Sequence, residues 1–135
     1  MYFTDEFDTK NRIYITKLRD ELKQVCECKV CVNKNYDAWS ISAWYTSTSY
    51  MHKGYGKETL KHILEGMYEE LGIPSKIEYI WNGSNQYVMD WLERNFDPVC
   101  KLPLAVLKNQ EADDWDAHIY VLNRDKVIKY FNIGE

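Results

Sequence analysis

The sequence predicts a mixed α/β (α+β) fold: a mostly antiparallel sheet of about six strands with helices on both faces. Three observations carry this. The chain has 135 residues, which suits one core and one domain over residues 1–135. Hydrophobic residues make up 45% and charged residues 28%, enough for a packed interior and too apolar for a disordered chain. β-prone runs alternate with helical stripes, and a central strand–helix–strand order requires a parallel crossover between neighbours that otherwise pair as hairpins.

Each element follows from its local pattern. Residues 1–10 read as loose. From Asn11 to Val25, Ile15, Leu18, Leu22 and Val25 recur at helical spacing with Lys17, Arg19, Asp20 and Lys23 between them, which predicts an amphipathic helix. CECKVCV (26–32) and AWSISAWYT (38–46) flank an Asn/Asp-rich turn and read as a hairpin. STSYMHKGYG is loop-like, and the strongest helix begins at Gly56 and Lys57. Leu60, Ile63, Leu64, Met67 and Leu71 form its apolar stripe; Gly72 and Pro74 end it. KIEYIWN (76–82) is a strand, Asn82-Gly83-Ser84 a turn, and Asn85 to Phe96 a helix with Val88, Trp91 and Leu92 on one face. Pro98 to Leu107 is extended, with Pro103 marking an edge or bulge. After the acidic segment NQEADDWD (109–116), HIYVLN and KVIKYF flank Arg124-Asp125 as a closing hairpin.

Composition removes several functions. The net charge of −4 argues against a broad nucleic-acid binder, because neutralising phosphates needs a basic surplus. No apolar run has the length of a membrane span, and the acidic N-terminus does not read as a signal peptide, so a cytoplasmic protein is expected. On that footing the four cysteines, 26, 28, 31 and 100, are expected to be reduced. Cys26 and Cys28 would share a strand face that Cys31 does not, a poor tetrahedral set, so no metal is expected. Among the histidines, His52 lies in the glycine loop, His62 reads as a solvated helix residue and His118 starts a strand. No serine or cysteine sits in a nucleophile elbow.

The segment from Trp44 to Leu64 carries the chemistry. A strand runs into a loop ending in Gly54-Tyr55-Gly56 at the mouth of a strong helix. The first turn of a helix has N–H groups with no intrahelical partner and a partial positive charge. Glycines allow close backbone approach, and Lys53 and Lys57 add charge, so the loop suits a phosphate or pyrophosphate. Glu58 must then point away. A P-loop fails, since only one residue separates the glycines; a dinucleotide fingerprint fits poorly, with Thr59 for the third glycine and Asn82 for the acid. A plain strand-to-helix turn and a general nucleotide site are the other readings of this loop.

From Trp44 to Phe96 the chain resembles the GNAT family of acetyl-CoA-dependent N-acetyltransferases. Met51-His52-Lys53-Gly54-Tyr55-Gly56 is similar to the family's Arg/Gln-x-x-Gly-x-Gly/Ala loop, and KIEYIWNGSNQYVMDWLERNF supplies its next strand, an Asn and a helix ending in a Phe step. The resemblance implies a GNAT-like acyl-CoA N-acyltransferase fold and acetyl-CoA as cosubstrate. It implies that positions 51 to 57 (Met51, His52, Lys53, Gly54, Tyr55, Gly56, Lys57) bind the pyrophosphate, that Trp44, Tyr45 and Thr46 pair by backbone with the pantetheine arm, and that Asn82 or Asn85 touches the cofactor. The two central strands would splay to admit the arm. An amine, of a protein or a small molecule, would attack the thioester directly. The sequence departs from the pattern in three places. Met51 replaces Arg/Gln, the expected general-acid Tyr falls on Trp91, and AWSISAWYTS holds no carboxylate. Tyr87 and Glu78 are the stand-ins for acid and base, so catalytic residues stay unassigned. A short N-terminal portion implies an open acceptor site. The alternative is a catalytically weak CoA-binding or protein-interaction module. A homodimer through an edge strand at KVIKYF is a further expectation.

Overall fold

The computed structural model describes residues 1–33, 37–81, 85–103 and 118–134. The expected segments Asn82-Gly83-Ser84 and 109–116 therefore lie outside the described residues. Seven strands form one mixed sheet: β1 (Tyr2–Asp8), β2 (Ile13–Asp20), β3 (Lys23–Asn33), β4 (Ala38–Thr46), β5 (Lys76–Trp81), β6 (Val99–Pro103) and β7 (His118–Leu122), in the order β1-β2-β3-β4-β5-β7-β6. Among the described residues the α-helices are α1 (Tyr55–Leu71), α2 (Gln86–Phe96) and α3 (Arg124–Phe131), with a 3₁₀ turn at Thr48–Tyr50. Among the described residues only β4 and β5 pair in parallel, across the α1 crossover, and every other pair of neighbouring strands is antiparallel.

The N-terminal reading is corrected. Residues 1–10, taken as loose, hold β1, and the helix expected over 11–25 is the β2–β3 hairpin. The helical spacing joined residues from opposite sheet faces. Tyr14, Thr16 and Leu18 alternate inward, Ile15 lies on the other face, and Leu22 is 96% exposed in the turn. Ile13, Ile15, Thr16, Val25, Val30 and Val32 are β-branched, and their preference for a pleated surface prevails. The C-terminal reading is corrected as well. KVIKYF is helix α3, so it offers no edge strand for pairing subunits. Asn123, read as the end of the strand HIYVLN, is a helix cap accepting the Lys126 N–H at 3.1 Å, and Val127 and Phe131 bury one face.

Strand register puts Phe7, Tyr14, Val30, Ile41, Tyr79 and Tyr120 on one face. Buried side chains of α1, α2 and α3 join those residues in one cluster. Among the described residues helical cover thus lies on that single face, where the sequence led us to expect both. Tight turns join β1, β2 and β3, leaving no chain there to form a second layer. β6 is an edge strand whose register shifts between Cys100 and Pro103, as the proline suggested.

Candidate functional site

The site begins where β4 and β5 part. They pair from Ala38↔Lys76 to Ile41↔Tyr79 and no further. At that point β4 carries a bulge: Lys29 opposes Ala43 and Val30 opposes Ile41, so Ser42 is the extra residue. A bulge bends its strand and strengthens the twist, which turns β4 away from β5. Residues 42–46 of β4 keep β3 on one side and, among the described residues, no strand on the other. At about 3.3 Å per residue this exposes roughly 15 Å of backbone edge.

The loop after β4 is held from below. The Ser47 N–H donates to Val25 O at 2.8 Å, its hydroxyl donates to Gln24 O at 2.7 Å, and Tyr50 donates to Asp20 Oδ2 at 3.1 Å. Leu18, Val25 and Cys26 pack beneath Tyr50 and Tyr55 as a small separate cluster. The chain then enters α1 through Gly54 at φ +84°, the left-handed region that glycine takes without steric cost. Gly56 serves differently. A Cβ there would lie 3.3 Å from Thr46 Oγ1 and 3.5 Å from Trp44 Nε1, so this glycine lets the helix start sit against the end of β4.

The first backbone bond of α1 runs from the Glu58 N–H to Gly54 O at 3.1 Å, and no side chain caps the helix. The N–H groups ahead of Glu58 therefore have no intrahelical acceptor. They border a cleft of about 220 Å³ lined by the end of β4, the loop, the start of α1 and the start of α2. Two helix N-termini converge on it, and their dipoles add to the Lys57 ammonium, which sits 5.4 Å from the Trp91 ring centroid. The one acid of the first turn, Glu58, is exposed and outside the lining.

Trp44, Tyr45, Thr46, Met51, His52, Gly54, Tyr55, Gly56, Lys57 and Asn85 all line this cleft. Lys53 is exposed and does not, and Asn82 lies outside the described residues. Asn85 Oδ1 already accepts the Val88 N–H at 3.2 Å as the α2 cap, leaving its amide nitrogen toward other partners. Tyr50, Tyr87, Val88 and Trp91 complete the lining. Trp91 lies buried against Trp44, their ring centroids 5.7 Å apart. Tyr87 is 53% exposed at the rim and meets the His52 ring edge to face at 5.1 Å. His52 holds φ +63°, which a sequence pattern gives no way to see.

Other candidates fall elsewhere. Glu78 is 1% exposed, on the sheet face opposite the cleft, where its Oε2 accepts the Ser40 hydroxyl at 3.0 Å. His62 is no solvated residue either. It stacks on Phe3 at 4.0 Å and its Nε2 lies 3.1 Å from Asp5 Oδ2, clasping β1 to α1. Cys26 and Cys28 point into the helix-covered face and Cys31 away from it, and burial raises the thiol pKa of the first two, Cys28 strongly. Burial also pushes the Tyr79 phenol up to about 12, which keeps it a neutral core group. No helix among the described residues is long and apolar enough to cross a membrane.

No family model matches the sequence, and no curated protein matches it. Solved structures do match in shape. A proposed acyl-CoA N-acyltransferase from Klebsiella pneumoniae superposes with a TM-score of 0.66 at 8% identity, covering 89% of this chain and 94% of that one. The chain has the GNAT fold. PaiA N-acetyltransferase from Thermoplasma acidophilum, in complex with coenzyme A, matches at 0.57 and 11% identity over 82% of this chain and 60% of its own. A GNAT family acetyltransferase from Elizabethkingia anophelis with acetyl-CoA bound matches at 0.58 and 8% identity, over 82% and 74%. The chain thus spans about three fifths of the Thermoplasma protein's length.

Proposed function

We propose that this chain is an N-acetyltransferase that binds acetyl-CoA in the cleft and passes the acetyl group to a primary amine. The observation carrying the reading is the uncapped start of α1, opening beside strands that have parted. The N–H groups of residues 54–57 and the Lys57 ammonium would hold the pyrophosphate. The free edge of β4, residues 42–46, would pair with the pantetheine arm as with an added strand. Asn85 has an amide N–H to offer the arm. The cosubstrate supplies an activated acyl carbon.

The remaining work falls to few groups. An edge N–H of β4 would stabilise the oxyanion formed when the amine attacks. The amine would lose its proton to solvent, since no carboxylate lines the cleft among the described residues, and the exposed Tyr87 phenol would return a proton to the leaving thiolate. Trp91 cannot do the latter, since an indole N–H is not an acid in water. The turns joining β1, β2 and β3 leave the opposite sheet face without a helix among the described residues, which favours a bulky acceptor such as a lysine of a protein over an enclosed small amine.

Trp91 in place of a tyrosine also favours a second reading, a CoA-binding module with weak turnover. A thermal-shift series with CoA, acetyl-CoA, ATP and NAD decides the ligand. Stabilisation by the two CoA species alone is expected; protection by ATP or NAD and none by CoA would replace the reading with a nucleotide site. Thiol release from acetyl-CoA with a panel of amines and proteins separates enzyme from module. Release that no acceptor accelerates selects the module.

A further inference from the structure

Two rings meet across the rim of the cleft. His52 reaches from the loop ahead of α1 and Tyr87 from the first turn of α2, with centroids 5.1 Å apart, and both line the cleft. The contact lies on the solvent side. Along one face of α2, Trp91 is 5% exposed beneath Lys57, while Tyr87, four residues earlier, is 53% exposed. The pair therefore stands about one helical turn, roughly 6 Å, outward of the ring that Lys57 covers. Little else holds the His52 side. The Met51 N–H donates to Thr48 O at 3.4 Å, and the next backbone bond runs from the Glu58 N–H to Gly54 O. Among the described residues His52 and Lys53 make no hydrogen bond, so the ring contact alone ties this short segment to α2. His52 at φ +63° also holds a left-handed position that costs a side chain free energy, and Gly54 at φ +84° follows it as a pivot.

We propose that the His52–Tyr87 contact is a strap over the cleft mouth, which parts to admit the acyl-CoA and closes behind its diphosphate. The proposal rests on the acyl-CoA reading above. With the pantetheine arm running inward along β4, the nucleoside end of the donor leaves past the rim that these two rings span. An edge-to-face pair favours the closed form by roughly two- to tenfold. An attraction of that size, set against the strain at His52, makes a contact that opens and closes and not a fixed wall. Only the open fraction accepts ligand, so the strap slows entry as well as release.

Binding kinetics test this, with no need for turnover. Stopped-flow fluorescence follows free CoA entering the full chain, reported by Trp44 and Trp91 in the cleft wall. His52→Asn removes one ring and keeps a residue that tolerates left-handed backbone. Tyr87→Ala removes the other ring from an exposed helix position. Each should raise the association rate constant about fivefold and speed release as well. The double variant should be no faster than either single one, because all three lose the same contact. Tyr87→Phe keeps the ring without its hydroxyl and should associate like the unaltered chain. If CoA does not bind the unaltered chain, the acyl-CoA reading fails and takes this proposal with it. If CoA binds and the single variants change only its release, the rings hold ligand directly and the strap alone is overturned. Effects that add in the double variant, or a Tyr87→Phe chain as fast as Tyr87→Ala, overturn it too.

Discussion

α1 starts without a side-chain cap, whereas α2 and α3 each start with one. Asn85 accepts the Val88 N–H at 3.2 Å and Asn123 accepts the Lys126 N–H at 3.1 Å, while Gly54 offers α1 only a left-handed turn. A cap contributes about 1 kcal/mol. The short helices, of 11 and 8 residues, lean on theirs. α1 has 17 residues and buries Leu60, Ile63, Leu64 and Met67, so packing carries it with an open end. The difference teaches that the helix best able to do without a cap is the one whose bare amides face the cleft.

The largest effect that could break this comparison comes from closing the open end with charge. Gly54→Asp puts a side chain at φ +84°, and Gly56→Asp puts a Cβ 3.3 Å from Thr46 Oγ1, with a carboxylate attached to it, at the same mouth. Both should abolish the CoA-induced thermal shift through bulk and like-charge repulsion. Normal CoA binding by either variant would mean the bare amides are not the anion site. Next comes Lys57→Gln, which removes the ammonium poised over Trp91. Titration calorimetry should show about tenfold weaker CoA binding, as for loss of a charge-assisted bond, with a shallower dependence on salt; an unaltered salt slope would take Lys57 out of the site.

Smaller effects sharpen the comparison. Asn123→Ala should cost about 1 kcal/mol in urea unfolding and leave CoA affinity untouched, because α3 starts away from the cleft. Asn85→Ala should cost a similar amount and also weaken CoA, since that cap lines the cleft. Equal CoA affinity in the two variants would deny Asn85 any part beyond capping. The smallest expected effect is a stabilisation by inorganic sulfate of about 0.4 kcal/mol at a concentration equal to its Kd, present in the unaltered chain and absent in Gly54→Asp.

The central half of the fold was legible because its signals are local and agree with one another. Leu60, Ile63, Leu64 and Met67 of the stripe, Gly72 with Pro74 after it, and the strand expected over 76–82 and found over Lys76–Trp81 fell where expected, whereas Leu71, read as part of the stripe, is 46% exposed. The ends misled for a physical reason. Leu18, Leu22 and Val25 satisfy a helical period by accident, while the strand alternation of Tyr14, Thr16 and Leu18 pays off only once β1 and β3 lie alongside. Asn123-Arg124-Asp125 serves equally as a turn or a cap, and burial of Val127 and Phe131 selects the cap.

By itself the sequence determined the glycine entry to α1, the apolar stripe that seats that helix, and the absence of a carboxylate in β4, because these depend on neighbours along the chain. Tertiary structure alone decided the bulge at Ser42, the end of pairing at Ile41 and Tyr79, the Trp44 indole bonded to Gly56, and the His52–Tyr87 contact across the rim. Each of those joins residues from separate elements. Register and ring packing are set by which strands and helices meet, and a linear pattern holds no record of that meeting.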